Sequence, residues 1–325
     1  MTFISVIIPN YNHAPYLDQR IQSVLSQTHP HFELILLDDN SSDNSREIIE
    51  GYRNNSKVSH IICNEQNSGS PFLQWRKGIE LAKYDWIWIA ESDDFASPFF
   101  LETAVEVIGN ASSPTLFYTD SFTVDETGEP AEEKFSLKKN KQFNTTKWSN
   151  SYDNNGIDEL NECLKFDCTV NNISAVVFNK SLFMANKQIA GDYVYYGDWA
   201  FMISAAFGAG VHYCNDPLNY YRKHSQSHLN KDTSIVTSRH EHFRILRLLW
   251  YNDKVTNKKH LLDHFVYNYL SFGLMHDGPK KGWQIIRYYF RVDRSLALKV
   301  VMKIAAIILF RIKRPFYVPI KESKK

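Results

Sequence analysis

Three short apolar runs constrain this chain more than anything else in its 325 residues. They are Phe3-Ile4-Ser5-Val6-Ile7-Ile8, Glu33-Leu34-Ile35-Leu36-Leu37 and Trp86-Ile87-Trp88-Ile89-Ala90. Each is too short for a helix and lacks the strict alternation of a strand with one wet face. A near-continuous apolar strand is covered on both faces, which is the situation of a parallel sheet in an α/β fold. The stretches between the runs carry helical spacing. Leu17, Ile21, Val24 and Leu25 recur on one helical face, with Pro15 suited to a first turn. The pattern predicts strands at 3–8, 33–37, 58–62, 85–90, 116–118, 175–178 and 211–214. Helices are expected at about 45–53, 70–82, 97–108 (Ser97 as cap, Pro98 first), 156–166 and 198–207. Strand–helix alternation implies βαβ units, hence an α/β fold with a mostly parallel central sheet flanked by helices. Residues 125–155 are polar and break the pattern, and they read as a long loop or mobile lid. From about 232 the chain reads as helical to its end.

Composition excludes several classes. Net charge is +1, so no bulk attraction to nucleic acid is implied. Cys63, Cys163, Cys168 and Cys214 form no Cys-x-x-Cys pair, which argues against zinc and fits reduced thiols of a cytoplasmic protein. The first nine residues lack a basic region and a cleavage site, and read as a strand, not a signal peptide.

Two of the apolar runs end in carboxylates. Asp38-Asp39-Asn40-Ser41-Ser42-Asp43 follows the second, and Glu91-Ser92-Asp93-Asp94 the third. Ligands of open α/β sheets bind at the carboxyl ends of the strands. Carboxylates there can hydrogen-bond a sugar or base, or hold a hard divalent ion beside a phosphate. The pairing points to a nucleotide-sugar site. A solvated acidic turn is the plain alternative for 91–94.

The opening Ser5-Val6-Ile7-Ile8-Pro9-Asn10-Tyr11-Asn12, the 38–43 cluster, the Asn67-Ser68-Gly69 turn and the 91–94 cluster together resemble the family-2 glycosyltransferases over about residues 3–225. The resemblance implies a GT-A (Rossmann-like) nucleotide-diphospho-sugar-binding fold and inverting sugar transfer. It places Pro9 and Tyr11 at the nucleoside and makes Asp39 the carboxylate that contacts the base, usually uracil. Asp43 is expected to cap the next helix. The family's Asp-x-Asp-Asp falls on Glu91, Ser92, Asp93 and Asp94, which implies Asp93 as a ligand of Mn²⁺ or Mg²⁺ and Glu91 and Asp94 at the donor. Where the family often shows Ala-Arg-Asn-x-Gly, this chain has Gln74-Trp75-Arg76-Lys77-Gly78. Asp198 of Gly197-Asp198-Trp199 aligns with the general base, with Gly197 in place of a preceding acid. A helix cap is the plain alternative for Asp198. Tyr221-Arg222-Lys223-His224 resembles the closing motif, with Arg222 facing phosphate and His224 completing a metal shell. Asp120 and Asp192 are reserve acceptor-side acids.

Residues 296–310 form an apolar run too short to span a bilayer, flanked by Arg311, Lys313 and Arg314 and carrying Lys299 and Lys303 on one face. This suits either an interfacial helix at a membrane surface or a helix packed on the catalytic domain. The expected division is a catalytic domain over 1–228 and a helical extension over 229–325. The functional expectation is transfer from a UDP-sugar or other nucleotide sugar to a glycan or lipid-linked glycan, at the inner face of the cell membrane. A sugar-phosphate nucleotidyltransferase is disfavoured because Pro9-Asn10-Tyr11-Asn12 stands where a Gly-rich basic loop belongs. A catalytically silent sugar-nucleotide-binding or scaffold protein is the other alternative, kept alive by Gly197.

Overall fold

The computed structural model describes residues 1–111, 113–170, 172–225, 234–270 and 278–310. The three apolar runs become β1 (Ile4–Asn10), β2 (Phe32–Asp38) and β4 (Trp86–Ile89), joined by α1 (Ala14–Leu25), α2 (Ser45–Gly51), β3 (Val58–Cys63) and α3 (Pro71–Leu81). After β4 come a short β5 (Phe95–Ala96), α4 (Phe100–Ile108), β6 (Thr115–Val124), β7 (Pro130–Glu132), α5 (Phe135–Phe143), β8 (Tyr152–Asn155) and α6 (Gly156–Glu159). The domain continues through β9 (Val176–Asn179), α7 (Lys180–Met184), α8 (Ile189–Asp192), α9 (Gly197–Ala206) and β10 (Gly210–Arg222). The C-terminal helices are α10 (Ile235–Trp250), α11 (Lys258–Phe265), α12 (Pro279–Val292) and α13 (Arg294–Phe310).

One sheet runs β3-β2-β1-β4-β9-β6-β10-β5. The β3-β2-β1-β4 half is parallel throughout, as is the β6–β10 pair. β9 runs antiparallel between β4 and β6. The parallel half therefore brings the ends of β1, β2 and β4 to one edge, and β9 brings its beginning to the same edge.

Alternation along β1 explains why the runs are apolar on both faces. Ile4, Val6 and Ile8 join a core with Leu17, Ile21 and Phe100 beneath α1 and α4. Ile7 joins the opposite core, with Ile79 of α3, Phe201 of α9, Phe243 of α10 and Val300 of α13. That second core crosses the expected boundary at 228, which itself falls outside the described residues. The helical extension thus shares its interior with the sheet.

Two local expectations are corrected. Residues 125–155 are not a long loop. They hold β7, α5, a 3₁₀ turn at Lys147–Ser149 and β8. Phe143 and Trp148 are buried, Trp148 Nε1 donates to Tyr118 Oη at 3.1 Å, and Lys147 is 2.6 Å from the buried Glu159. The polar residues hid a segment pinned by few aromatic anchors. Ser97 does not cap α4, which begins at Phe100 with no side-chain cap.

Candidate active site

A cleft of about 380 Å³ opens at the strand-end edge. Pro9, Tyr11, Asp39, Glu91, Asp93 and Asp94 line it from the sheet, and Asp198 lines it from α9. Seven residues far apart in sequence are thereby gathered at one cleft. Tyr11 is 42% exposed, so its ring is available to a planar ligand.

One side of the cleft is built around Asp39. It is buried, and its carboxylate accepts from Asn64 Nδ2 at 2.6 Å, Gln74 Nε2 at 2.8 Å, Ser68 N at 2.9 Å and Ser68 Oγ at 2.7 Å. It therefore fastens the Asn67-Ser68-Gly69 turn to the end of β2. Gly69 sits at φ 75°, a left-handed conformation that suits glycine. Asp38 faces away: it accepts from Asn10 Nδ2, Ser41 N and Arg46 Nε and holds the turn after β2. Asp43 accepts from Ala14 N at 3.0 Å and Ser45 N at 3.0 Å, so its role is structural at the starts of both α1 and α2.

The turn 91–94 carries three carboxylates in a small space. Burial and neighbouring Asp93 push the Glu91 carboxyl up to about 8, against the pull of a 2.6 Å hydrogen bond from Trp75 Nε1. Burial and Asp93 likewise push Asp94 up to about 7. Burial also works to raise Asp93, but the His224 hydrogen bond and nearby His13 outweigh it and hold Asp93 below the ordinary carboxylate range. His224 Nε2 lies 3.0 Å from Asp93 Oδ2. His13, Asp93 and His224 each offer a ligand atom within 4.8 Å of the others. Two imidazoles and a carboxylate form a donor set that suits a divalent transition ion such as Mn²⁺.

Two buried arginines brace this turn from behind. Arg20 Nε donates to the Glu91 carbonyl at 2.8 Å, and its Nη2 is 3.9 Å from Asp94 Oδ2. Arg222 corrects the sequence expectation. Its guanidinium is buried and stands outside the cleft lining, with Nε donating to the Asp93 carbonyl at 2.8 Å, Nη1 to the carbonyls of Asp125 and Glu126, and Nη2 to Gln19. These donors hold protein, not phosphate. The Arg222 backbone N–H also donates to Asp94 Oδ1 at 2.9 Å.

Asp198 is not a helix cap. The cap position of α9 is Tyr196, and the Asp198 carboxylate accepts only from the adjacent Trp199 N, at 2.7 Å, among the hydrogen bonds described. Burial pushes its carboxyl up to about 6. A Cβ on Gly197 would stand 2.7 Å from the Phe72 ring. The acid missing before Asp198 is thus replaced by an aromatic ring from α3, which fills that volume. The segment leading into α9 is held by Glu241 of α10. Its buried carboxylate accepts from Val194 N at 2.8 Å and from Tyr195 N and Tyr196 N at 3.0 Å.

The reserve acids Asp120 and Asp192 stand outside the cleft lining. Asp120 is buried and accepts from Ser136 N and Oγ, tying α5 to β6. Asp192 is exposed. Sequence reasoning missed His13, Arg20 and Glu241. Arg20 and Glu241 did carry a signal, a charge on the buried face of an amphipathic helix. His13 carried none, because its partners lie 80 and 211 positions away by subtraction of residue numbers.

The fold is of the GT-A type. Residues 5–157 match the family described as Glycosyl transferase family 2. The chain is 35% identical over 105 residues to glycosyltransferase GlyG of Streptococcus pneumoniae, covering 32% of this chain and 35% of the relative. It is 33% identical over 120 residues to the poly(ribitol-phosphate) β-N-acetylglucosaminyltransferase TarS of Staphylococcus aureus, covering 36% of this chain and 20% of that protein. The chain spans from about a third to under half of the length of the first curated relatives it matches. The crystal structure of S. aureus TarS 1–349 in complex with UDP-GlcNAc shares the fold, with a TM-score of 0.68 and 18% identity over 100% of this chain and 98% of that one.

Proposed function

We propose that this chain is an inverting glycosyltransferase that moves a sugar from a UDP-sugar onto a glycan or lipid-linked glycan during surface polysaccharide synthesis. The observation that carries this reading is that the 91–94 turn and Asp198 line one cleft. Inverting transfer requires a carboxylate within reach of the acceptor hydroxyl, on the face of the sugar opposite the leaving diphosphate. Asp198 fills that role. Burial places its carboxyl near 6, so it is largely ionised at neutral pH yet more basic than an ordinary aspartate. As the acceptor oxygen attacks the anomeric carbon, Asp198 takes the hydroxyl proton and the bond to the nucleoside diphosphate breaks.

Asp93, His224 and His13 would hold Mn²⁺ or Mg²⁺, which neutralises charge on the leaving diphosphate when bound. Tyr11 and Pro9 receive the uracil, and Asp39 shapes the base pocket by fastening the 67–69 turn. Glu91, in its protonated form beside Trp75, is a hydrogen-bond donor for a sugar hydroxyl. Likeness to a UDP-GlcNAc complex supports a UDP-linked donor.

Melting curves with a panel of nucleotide sugars, with and without Mn²⁺, test this. A ligand that binds only the folded state raises the melting point by mass action. UDP-sugars with Mn²⁺ should stabilise the protein, Asp93→Asn should remove the metal-dependent part, and EDTA should abolish transfer. Full transfer in excess EDTA would remove the metal from this scheme, and no stabilisation by any nucleotide sugar would overturn the donor assignment.

A further inference from the structure

The C-terminal helices α12 and α13 each have one face in the core and one face uncovered. On α12, Ile285 and Tyr289 are buried, Tyr289 stacking on Phe243 of α10 at 4.2 Å. On α13, Leu296, Ala297, Val300 and Ile304 are buried. The packed-helix expectation for 296–310 therefore holds for one side of α13.

The opposite sides are unusual in two ways at once. Trp283 is 68% exposed, Met302 63% and Leu309 74%, with Phe290, Leu298 and Ile308 also exposed. On α12, Trp283 and Phe290 lie seven apart on one side with Arg287 between them, and on α13 Leu298, Met302, Ala305 and Leu309 recur at i, i+4, i+7 and i+11 as an apolar stripe. Isolated exposed apolar residues need no explanation, but a stripe on one helix beside two exposed aromatics on the preceding one does. The same faces carry exposed Lys280, Lys281, Arg287, Arg291, Arg294 and Lys299. Neither helix carries an acid, and Asp293 between them is half-buried and lies 3.4 Å from Arg247. Lys303, which the sequence grouped with Lys299, is instead 2.7 Å from Asp263 and is taken up within the protein. Arg311, Lys313 and Arg314 lie outside the described residues.

We propose that the outward faces of α12 and α13 dock on an anionic lipid surface, Trp283, Phe290, Leu298 and Met302 entering the headgroup region while the six cations meet lipid phosphates. Charge decides the occupant. A second copy of this face would bring six more cations against six, and a protein partner would have to bury its acids against these cations at a desolvation cost. A bilayer rich in acidic lipids supplies negative charge over its whole plane and an apolar layer just beneath. No helix among the described residues is long and apolar enough to cross a membrane, so contact would be at the surface. This deepens the lipid-linked-acceptor reading and rests on it only for its purpose, since docking is read without any sugar.

The test is sedimentation of the full chain with vesicles of phosphatidylcholine alone or mixed equally with phosphatidylglycerol. The protein should pellet with the mixed vesicles only, and molar salt should weaken binding, because exposed charges are then screened. Lys280→Gln/Lys281→Gln/Arg287→Gln should lower the partition coefficient by about two orders of magnitude. Trp283→Ser/Met302→Ser should also lower it, and both variants should keep wild-type circular dichroism because every changed side chain is exposed. Equal vesicle binding by the variants would overturn the proposal. So would failure of the wild type to pellet, with two outcomes naming the true occupant. A dimeric mass by light scattering points to a second copy, and recovery of binding on deletion of 311–325 points to the chain's own end. Loss of docking with transfer intact would leave the enzyme assignment standing, and the reverse result would leave the docking surface standing.

Discussion

At the scale of single residues, the base proposed at Asp198 comes at some cost to stability. Its carboxyl is raised to about 6 by burial, so the folded state holds its proton more tightly than the unfolded chain does. A group of this kind favours folding below its unfolded pKa, and that contribution is lost as pH rises through about 6. Asp198→Asn should therefore raise the melting point of the free protein more at pH 8 than at pH 5. Its turnover should fall by about 10²–10⁴-fold with nucleotide affinity unchanged, because Asn cannot take the proton. Near-normal turnover in this variant would move the base elsewhere. Gly197 gives a second test. A methyl there meets the Phe72 ring at 2.7 Å, so Gly197→Ala should cost about 1–3 kcal/mol in urea unfolding, as overpacked sites do. Adding Phe72→Leu should recover part of the loss. Equal stability of Gly197→Ala and wild type would show that α3 yields easily.

At the scale of elements, the cleft depends on segments tied across long sequence distances. Glu241 on α10 receives three backbone N–H groups from 194–196, immediately before α9. Hydrogen bonds to a charged group contribute more than neutral ones, and the three N–H groups would be left without this partner. Glu241→Ala should cost about 2–4 kcal/mol. It should lower turnover while leaving nucleotide binding near wild type, since Asp39 and Tyr11 lie on other elements. A variant with normal turnover would show that α9 keeps its place without this tie. The elements themselves were readable in part. Apolar runs bounded by polar turns marked β1, β2 and β4 to within a residue or two, because strands covered on both faces leave no polar positions to confuse the pattern. β5 and β7 were missed, being two and three residues long. The 125–155 segment was misread because its order comes from Phe143, Trp148 and Lys147 meeting distant partners, not from local periodicity.

At the scale of the whole molecule, the sheet and the C-terminal helices share one core, with Ile7, Ile35 and Phe201 joined to Phe243, Leu246 and Val300. A chain truncated after residue 225 would expose the other half of that core. It should lose cooperative thermal unfolding and bind hydrophobic dyes, whereas a well-folded fragment with a sharp transition would make 1–228 an independent domain after all. The sequence by itself determined the α/β class and the strand ends that carry acids, because both follow from runs and periods along the chain, while Asp39, Asp93 and Asp198 were singled out by the family resemblance. Tertiary structure alone decided which charges face the cleft and which face protein. Arg222 and Asp38 lie in motifs yet turn inward to brace backbone, while His13 lies outside the quoted motifs yet stands beside Asp93. The reason is physical: a buried charge requires partners, and partners 80 or 200 positions away are supplied by packing rather than by anything adjacent in the chain.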